Sequence, residues 1–89
     1  MLQHFNIRIF GQVQDVGFRY SAKQKAHSLR LRGLVRNEPG GSVYLEIEGE
    51  NEAVAEFLAW CKNGPAWAKV TKQELSEGEM KNYPDFVIV

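Results

Sequence analysis

The stretch Gly11-Gln12-Val13-Gln14-Asp15-Val16-Gly17-Phe18-Arg19 is the part of this chain best suited to chemistry. It joins an alternating segment to a helical one, so its last residues open a helix. The first N–H groups of a helix lack intrahelical partners, and the helix dipole adds partial positive charge there. A tight loop that turns further N–H groups to the same point makes an anion cradle. Gly17 lets the backbone approach a ligand closely. Arg19 offers a fork of donors that matches two phosphate or carboxylate oxygens. The pattern fits binding of a small anion, and it also fits a plain strand–helix turn with an exposed arginine. It is not a nucleotide loop: neither G-x-x-x-x-G-K-[ST] nor G-x-G-x-x-G is present. No magnesium-binding carboxylate pair stands nearby.

The elements that must hold this loop follow from periodicity. Phe5, Ile7, Ile9 and Val13 share one phase of a period-two segment, which predicts a strand over 5–13. Phe18, Ala22, Ala26 and Leu29 form the apolar stripe of a helix over 18–30, with Gly33 as its expected C-cap. Leu34–Glu38 reads as a strand, Pro39-Gly40-Gly41-Ser42 as a hairpin turn and Val43–Glu48 as the next strand. In that strand Val43, Leu45 and Ile47 face in, while Tyr44, Glu46 and Glu48 face out. A second helix over 51–62 carries Val54, Phe57, Leu58 and Cys61 inward and stops at Asn63-Gly64-Pro65. Residues 67–75 read as a strand with Val70 and Leu75 out of phase, the mark of a bulge. A loop over 77–84 and a strand over 86–89 complete the order β-α-β-β-α-β-β. That order predicts an α+β, ferredoxin-like split βαβ sandwich, with two helices on one face of a mostly antiparallel four- to five-stranded sheet.

Composition sets the bounds. Eighty-nine residues, 44% hydrophobic, predict a single domain over 1–89 with a packed core. One cysteine can form neither an internal disulfide nor a thiolate metal site, and it fits a reducing, cytoplasmic compartment. No signal peptide and no membrane-spanning apolar run are legible. Net charge is zero, which argues against general nucleic-acid binding. The distribution is uneven: residues 1–36 carry net +6 and residues 37–89 net −6. The first third is therefore suited to attracting an anion.

The nine-residue loop segment resembles the acylphosphatase signature G-x-V-Q-G-V-G-F-R. The family's second signature, G-x-V-x-N followed by a turn, has its counterpart in Gly33-Leu34-Val35-Arg36-Asn37 with Pro39-Gly40-Gly41. Further matching features are Gly49, Phe57-Leu58, Gly64-Pro65 with Ala68 and Val70, and Phe86-x-Ile88. The resemblance implies the ferredoxin-like sandwich already read from periodicity. It also implies hydrolysis of a carboxyl–phosphate mixed anhydride to carboxylate and inorganic phosphate, with no metal or organic cofactor. By position, Arg19 corresponds to the arginine that binds the phosphoryl group and Asn37 to the asparagine that positions the attacking water. The phosphate-binding loop corresponds to Gln14, Asp15, Val16, Gly17 and Phe18. The implied partners are a small acyl phosphate and inorganic phosphate, with no nucleic acid and no membrane, and the chain acting as a monomer. The alternative is a non-catalytic ferredoxin-like module that keeps the loop to bind an anion or an RNA.

Asp15 stands where the family signature has glycine. A positive φ there is better tolerated by Asp than by most residues. A carboxylate about 5 Å from the phosphoryl group would repel it by roughly 3 kcal/mol per unit charge at an effective dielectric near 20. An outward-pointing side chain avoids that cost and is the expected arrangement. Cys61 reads as a small buried hydrophobe. His4, placed before the first strand, and His27, on the polar side of the first helix, read as surface or packing residues. Trp67 is expected to pack at the rim of the sheet, and Arg30, Arg32 and Arg36 to be solvated charges.

Overall fold

The computed structural model describes residues 1–89. Strand β1 (Leu2–Gln12) leads through the loop to helix α1 (Phe18–Ser28), then β2 (Arg32–Asn37) and β3 (Val43–Glu50). Helix α2 (Asn51–Cys61), β4 (Lys69–Gly78) and β5 (Phe86–Ile88) follow. The five strands form one sheet in the order β4-β1-β3-β2-β5, antiparallel except for the β2–β5 pair. This is the split βαβ arrangement that the element order predicts.

The core lies between the sheet and the two helices. The inward strand residues Ile7, Ile9, Val35, Val43, Leu45, Ile47 and Phe86 meet Phe18, Ala22 and Ala26 of α1 and Val54, Phe57 and Cys61 of α2. Leu29 and Leu58 of the two stripes are only partly buried against this core. Small alanines let α1 approach the sheet, and three phenylalanines fill the space between helices. Phe57 lies 5.7 Å from Trp60 and 6.2 Å from Phe86, in tilted ring pairs. Burial pushes the Cys61 thiol well above its ordinary pKa, so it sits in the core as a neutral hydrophobe.

The bulge expected near Val70 is present. Phe10 pairs with Lys72 and Gly11 with Val70, so Thr71 is the extra residue. Gly33, by contrast, does not cap α1. It lies within β2 opposite Ile47 at φ 144°, and a Cβ there would sit 1.8 Å from the Glu46 carbonyl oxygen. The helix ends at Leu29, with Arg30 in the left-handed region at φ 58°. Arg30 N–H donates to His27 O at 3.1 Å and Leu31 N–H to Ala26 O at 2.8 Å, a Schellman ending with a non-glycine residue. Trp67 is 82% exposed and does not pack at the rim.

The helix-free face also departs from the sequence reading. His4 lies inside β1 opposite Glu48, and both it and Glu48 are buried, as is Glu46. The chain between β4 and β5 crosses beneath these residues as a strap. Glu48 accepts from the Lys81 and Tyr83 N–H groups at 2.7 Å each, and its carboxylate meets His4 Nδ1 at 2.7 Å. Glu46 accepts from Tyr83 O–H at 2.6 Å, Tyr44 O–H at 2.7 Å and Lys81 Nζ at 2.9 Å. Burial and the neighbouring Glu46 carboxylate push the Tyr44 phenol up to about 12. No helix is long and apolar enough to cross a membrane.

Candidate functional site

β1 parts from β3 past Ile9 but stays paired with β4 to Gln12, and the loop over 13–17 carries the chain to α1. Asp15 at φ 61° and Gly17 at φ 76° both take the left-handed conformation, with Val16 between them. Gly17 is the helix N-cap, with no side-chain cap bond, and a Cβ there would point into open space. The first helical bond runs from Ser21 N–H to Gly17 O. The N–H groups of residues 14 through 20 have no hydrogen-bond acceptor within the protein. Seven consecutive N–H groups at a helix N-terminus are thus without a protein acceptor, the arrangement expected of an anion cradle.

A hollow of about 230 Å³ opens over this turn, lined by Val13, Asp15, Gly17, Phe18, Arg19, Tyr20, Asn37 and Ile88. That is below the ~300–1,000 Å³ of clefts for drug-sized ligands, so the hollow suits a small molecule. Arg19 is exposed and takes part in none of the protein's ion pairs. By contrast, Arg8 and Arg36 are committed to Glu38 at 2.9 and 3.3 Å, and Lys25 to Glu56 at 3.0 Å. Hydrogen bonding to Arg8, backed by Arg36 and opposed by burial, holds the Glu38 carboxyl below its ordinary range. Thus Arg36 is paired where the sequence suggested a free solvated charge, and Arg19 keeps its guanidinium available.

Asn37 ends β2 on the opposite side of the hollow. Its Oδ1 is buried with no hydrogen-bond partner. A buried acceptor left without a partner costs roughly 1–3 kcal/mol, so the position calls for an explanation. Of the residues singled out in the sequence, Asp15, Gly17, Phe18, Arg19 and Asn37 line the hollow together. Gln14 and Val16 do not. Val16 packs against the core, and the Gln14 side chain bonds to the β2–β3 turn. Asp15 is exposed, pairs with no base and is among the residues lining the hollow. Val13, Tyr20 and Ile88 are lining residues that sequence reasoning missed. Tyr20 was signalled only by its place beside Arg19, and Ile88 only by the pairing of β5 with β2. No group of three His, Cys, Asp or Glu side chains is placed to hold a metal ion.

Fold and site together define an α+β sandwich of ferredoxin-like topology with an anion cradle at its first strand–helix junction. The acylphosphatase family model matches residues 5–88. The chain is 42% identical over 83 residues to the acylphosphatase of Methanothrix thermoacetophila, covering 93% of this chain and 92% of that one. The solved acylphosphatase of Coxiella burnetii superposes with a TM-score of 0.96 at 32% identity, covering 99% of this chain and 93% of the other. That of Bacillus subtilis gives 0.95 at 36% identity, covering 100% and 99%. The chain belongs to the acylphosphatase family.

Proposed function

We infer that this protein hydrolyses acyl phosphates to a carboxylate and inorganic phosphate. The observation that carries the reading is that a turn with free N–H groups, Arg19, which makes no ion pair, and Asn37, whose Oδ1 has no partner, border one small hollow. The N–H groups of Gln14 to Phe18 take the phosphoryl oxygens, and Arg19 grips two of them as a fork. Asn37 has no useful pKa, so its amide acts by positioning the attacking water. Water attacks phosphorus, the bond from phosphorus to the bridging oxygen breaks, and the acyl group leaves as carboxylate. The water's proton passes to a phosphate oxygen of the substrate. Carboxylate is a good leaving group, so positioning and fixed positive charge suffice without a strong general acid.

The proposal extends to a cytoplasmic monomer acting on small molecules. The test is release of inorganic phosphate from benzoyl phosphate by the purified protein. Saturable turnover above the spontaneous rate supports the reading. Phosphate binding without turnover would instead assign the chain as a non-catalytic anion-binding module.

A further inference from the structure

The two halves of the proposed site sit on elements that part company beside it. The cradle and Arg19 belong to the end of β1 and the start of α1, whereas Asn37 belongs to the end of β2. β1 pairs with β3 only as far as Ile9↔Val43, and past Phe10 it bends at the bulge and pairs with β4 alone. No backbone hydrogen bond joins residues 13–18 to the β2–β3 hairpin. Of residues 13–18, one side chain hydrogen-bonds across the gap. Gln14 Nε2 donates to Glu38 O at 2.9 Å and to Ser42 O at 2.9 Å. Those carbonyls flank the hairpin turn, where Glu38 N–H also donates to Ser42 O at 2.9 Å. Glu38 follows Asn37 directly and is itself clamped by Arg8 and Arg36, both of which lie over the Tyr44 ring.

We propose that the Gln14 side chain is a positioning residue for hydrolysis: it sets the placement of the Asn37 amide relative to the cradle and Arg19. The chemistry of the amide suits the task. Both of its N–H bonds are used on two fixed carbonyls, so its position is determined in two directions at once. A hydroxyl would hold one carbonyl, and a carboxylate would oppose both. This assignment rests on the acyl phosphate reading and concerns a different atom set from the cradle, to which Gln14 contributes only its backbone N–H. The bound phosphoryl group meets the cradle and Arg19 with or without the clamp. The attack geometry, which needs Asn37 in register with that group, depends on the clamp.

The test uses Gln14→Met, which keeps the length of the side chain and removes both donors. The expected result is a kcat for benzoyl phosphate at least about tenfold lower, with the Kd for inorganic phosphate within about threefold of wild type. In an Asn37→Ala background the same substitution should change kcat less than about twofold, because the group it positions is gone. A purely structural role would give the same fold-loss in both backgrounds, and that result overturns the proposal. So does a Gln14→Met kcat within about twofold of wild type. Should Gln14→Met fail to fold, Gln14→Asn retains the donors on a chain one methylene too short, and the same outcomes apply. An arm independent of turnover is a phosphate titration followed by NMR. The cradle N–H signals should shift in both proteins, and the Asn37 side-chain amide only in wild type. An equal Asn37 response in both overturns the proposal, whereas a wild type that binds phosphate but hydrolyses nothing sinks only the hydrolase reading.

Discussion

Replacing Glu46 by Gln removes the β3 charge to which the Lys81–Tyr83 strap is bound, and the cost should depend on pH in one defined direction. Glu46 is 7% exposed and accepts from Tyr83, Tyr44 and Lys81 at 2.6, 2.7 and 2.9 Å. Burial raises its carboxyl pKa, but those three hydrogen bonds outweigh it and hold the group at about 2, against an ordinary 4.5. At 1.36 kcal/mol per pH unit, that gap corresponds to roughly 3 kcal/mol of folding stability. The folded value lies below the unfolded one. The stabilisation is therefore complete above pH 4.5 and disappears as pH falls toward 2. Urea unfolding of wild type and Glu46→Gln, measured from pH 7 down to pH 2, gives the difference directly. The wild type should be more stable by about 3 kcal/mol at neutral pH, with the advantage shrinking across the acid range. A difference that stays constant from pH 7 to pH 2 would refute the ionic reasoning and leave packing as the only contribution of this side chain.

Two further predictions concern the site. Asn37→Ala should lower kcat by at least about tenfold while changing the Kd for inorganic phosphate little, since the amide orients water and the cradle binds the anion. Steady-state kinetics and phosphate calorimetry on the same variant check this, and a matching loss of phosphate affinity with intact kcat would move Asn37 into the binding set. Asp15→Gly should tighten phosphate less than about fourfold, because an exposed carboxylate some 5 Å away repels by only ~0.8 kcal/mol per unit charge in water. Titrations at low and moderate salt test it, and a tenfold tighter, salt-sensitive Kd would place the carboxylate over the cradle.

The layout of this fold was largely legible because its strands have one apolar face. Ile7 and Ile9, then Val43, Leu45 and Ile47, alternate cleanly, and those faces bury against Phe18, Ala22, Val54 and Phe57. The cradle was legible from Gly17 and Arg19 at a strand–helix junction, and the positive φ of Asp15 from its place opposite a family glycine. The buried charges of the helix-free face escaped the pattern for one reason. Glu46 and Glu48 carry charges at alternate positions, so periodicity assigns them to solvent. Their burial depends on the strap at Lys81–Tyr83, a segment with no periodicity to place it. His4 was misplaced for the same reason, its partner being Glu48 across the strands. Gly33 was read as a cap because glycine is favoured there, whereas its need arises from close approach to the Glu46 carbonyl. The Gln14 clamp was invisible because its acceptors are backbone carbonyls distant in sequence.

We propose that the unpaired Arg19 and the cradle form the phosphoryl site that carries turnover. Measuring kcat/KM for benzoyl phosphate in wild type, Arg19→Ala and Arg19→Lys tests it most directly. Loss of the fork should lower kcat/KM by about a hundredfold or more, and lysine should not restore it, because a point charge does not reproduce bidentate geometry. An Arg19→Ala protein that keeps more than about a tenth of wild-type kcat/KM, a loss under ~1.4 kcal/mol, would contradict the account.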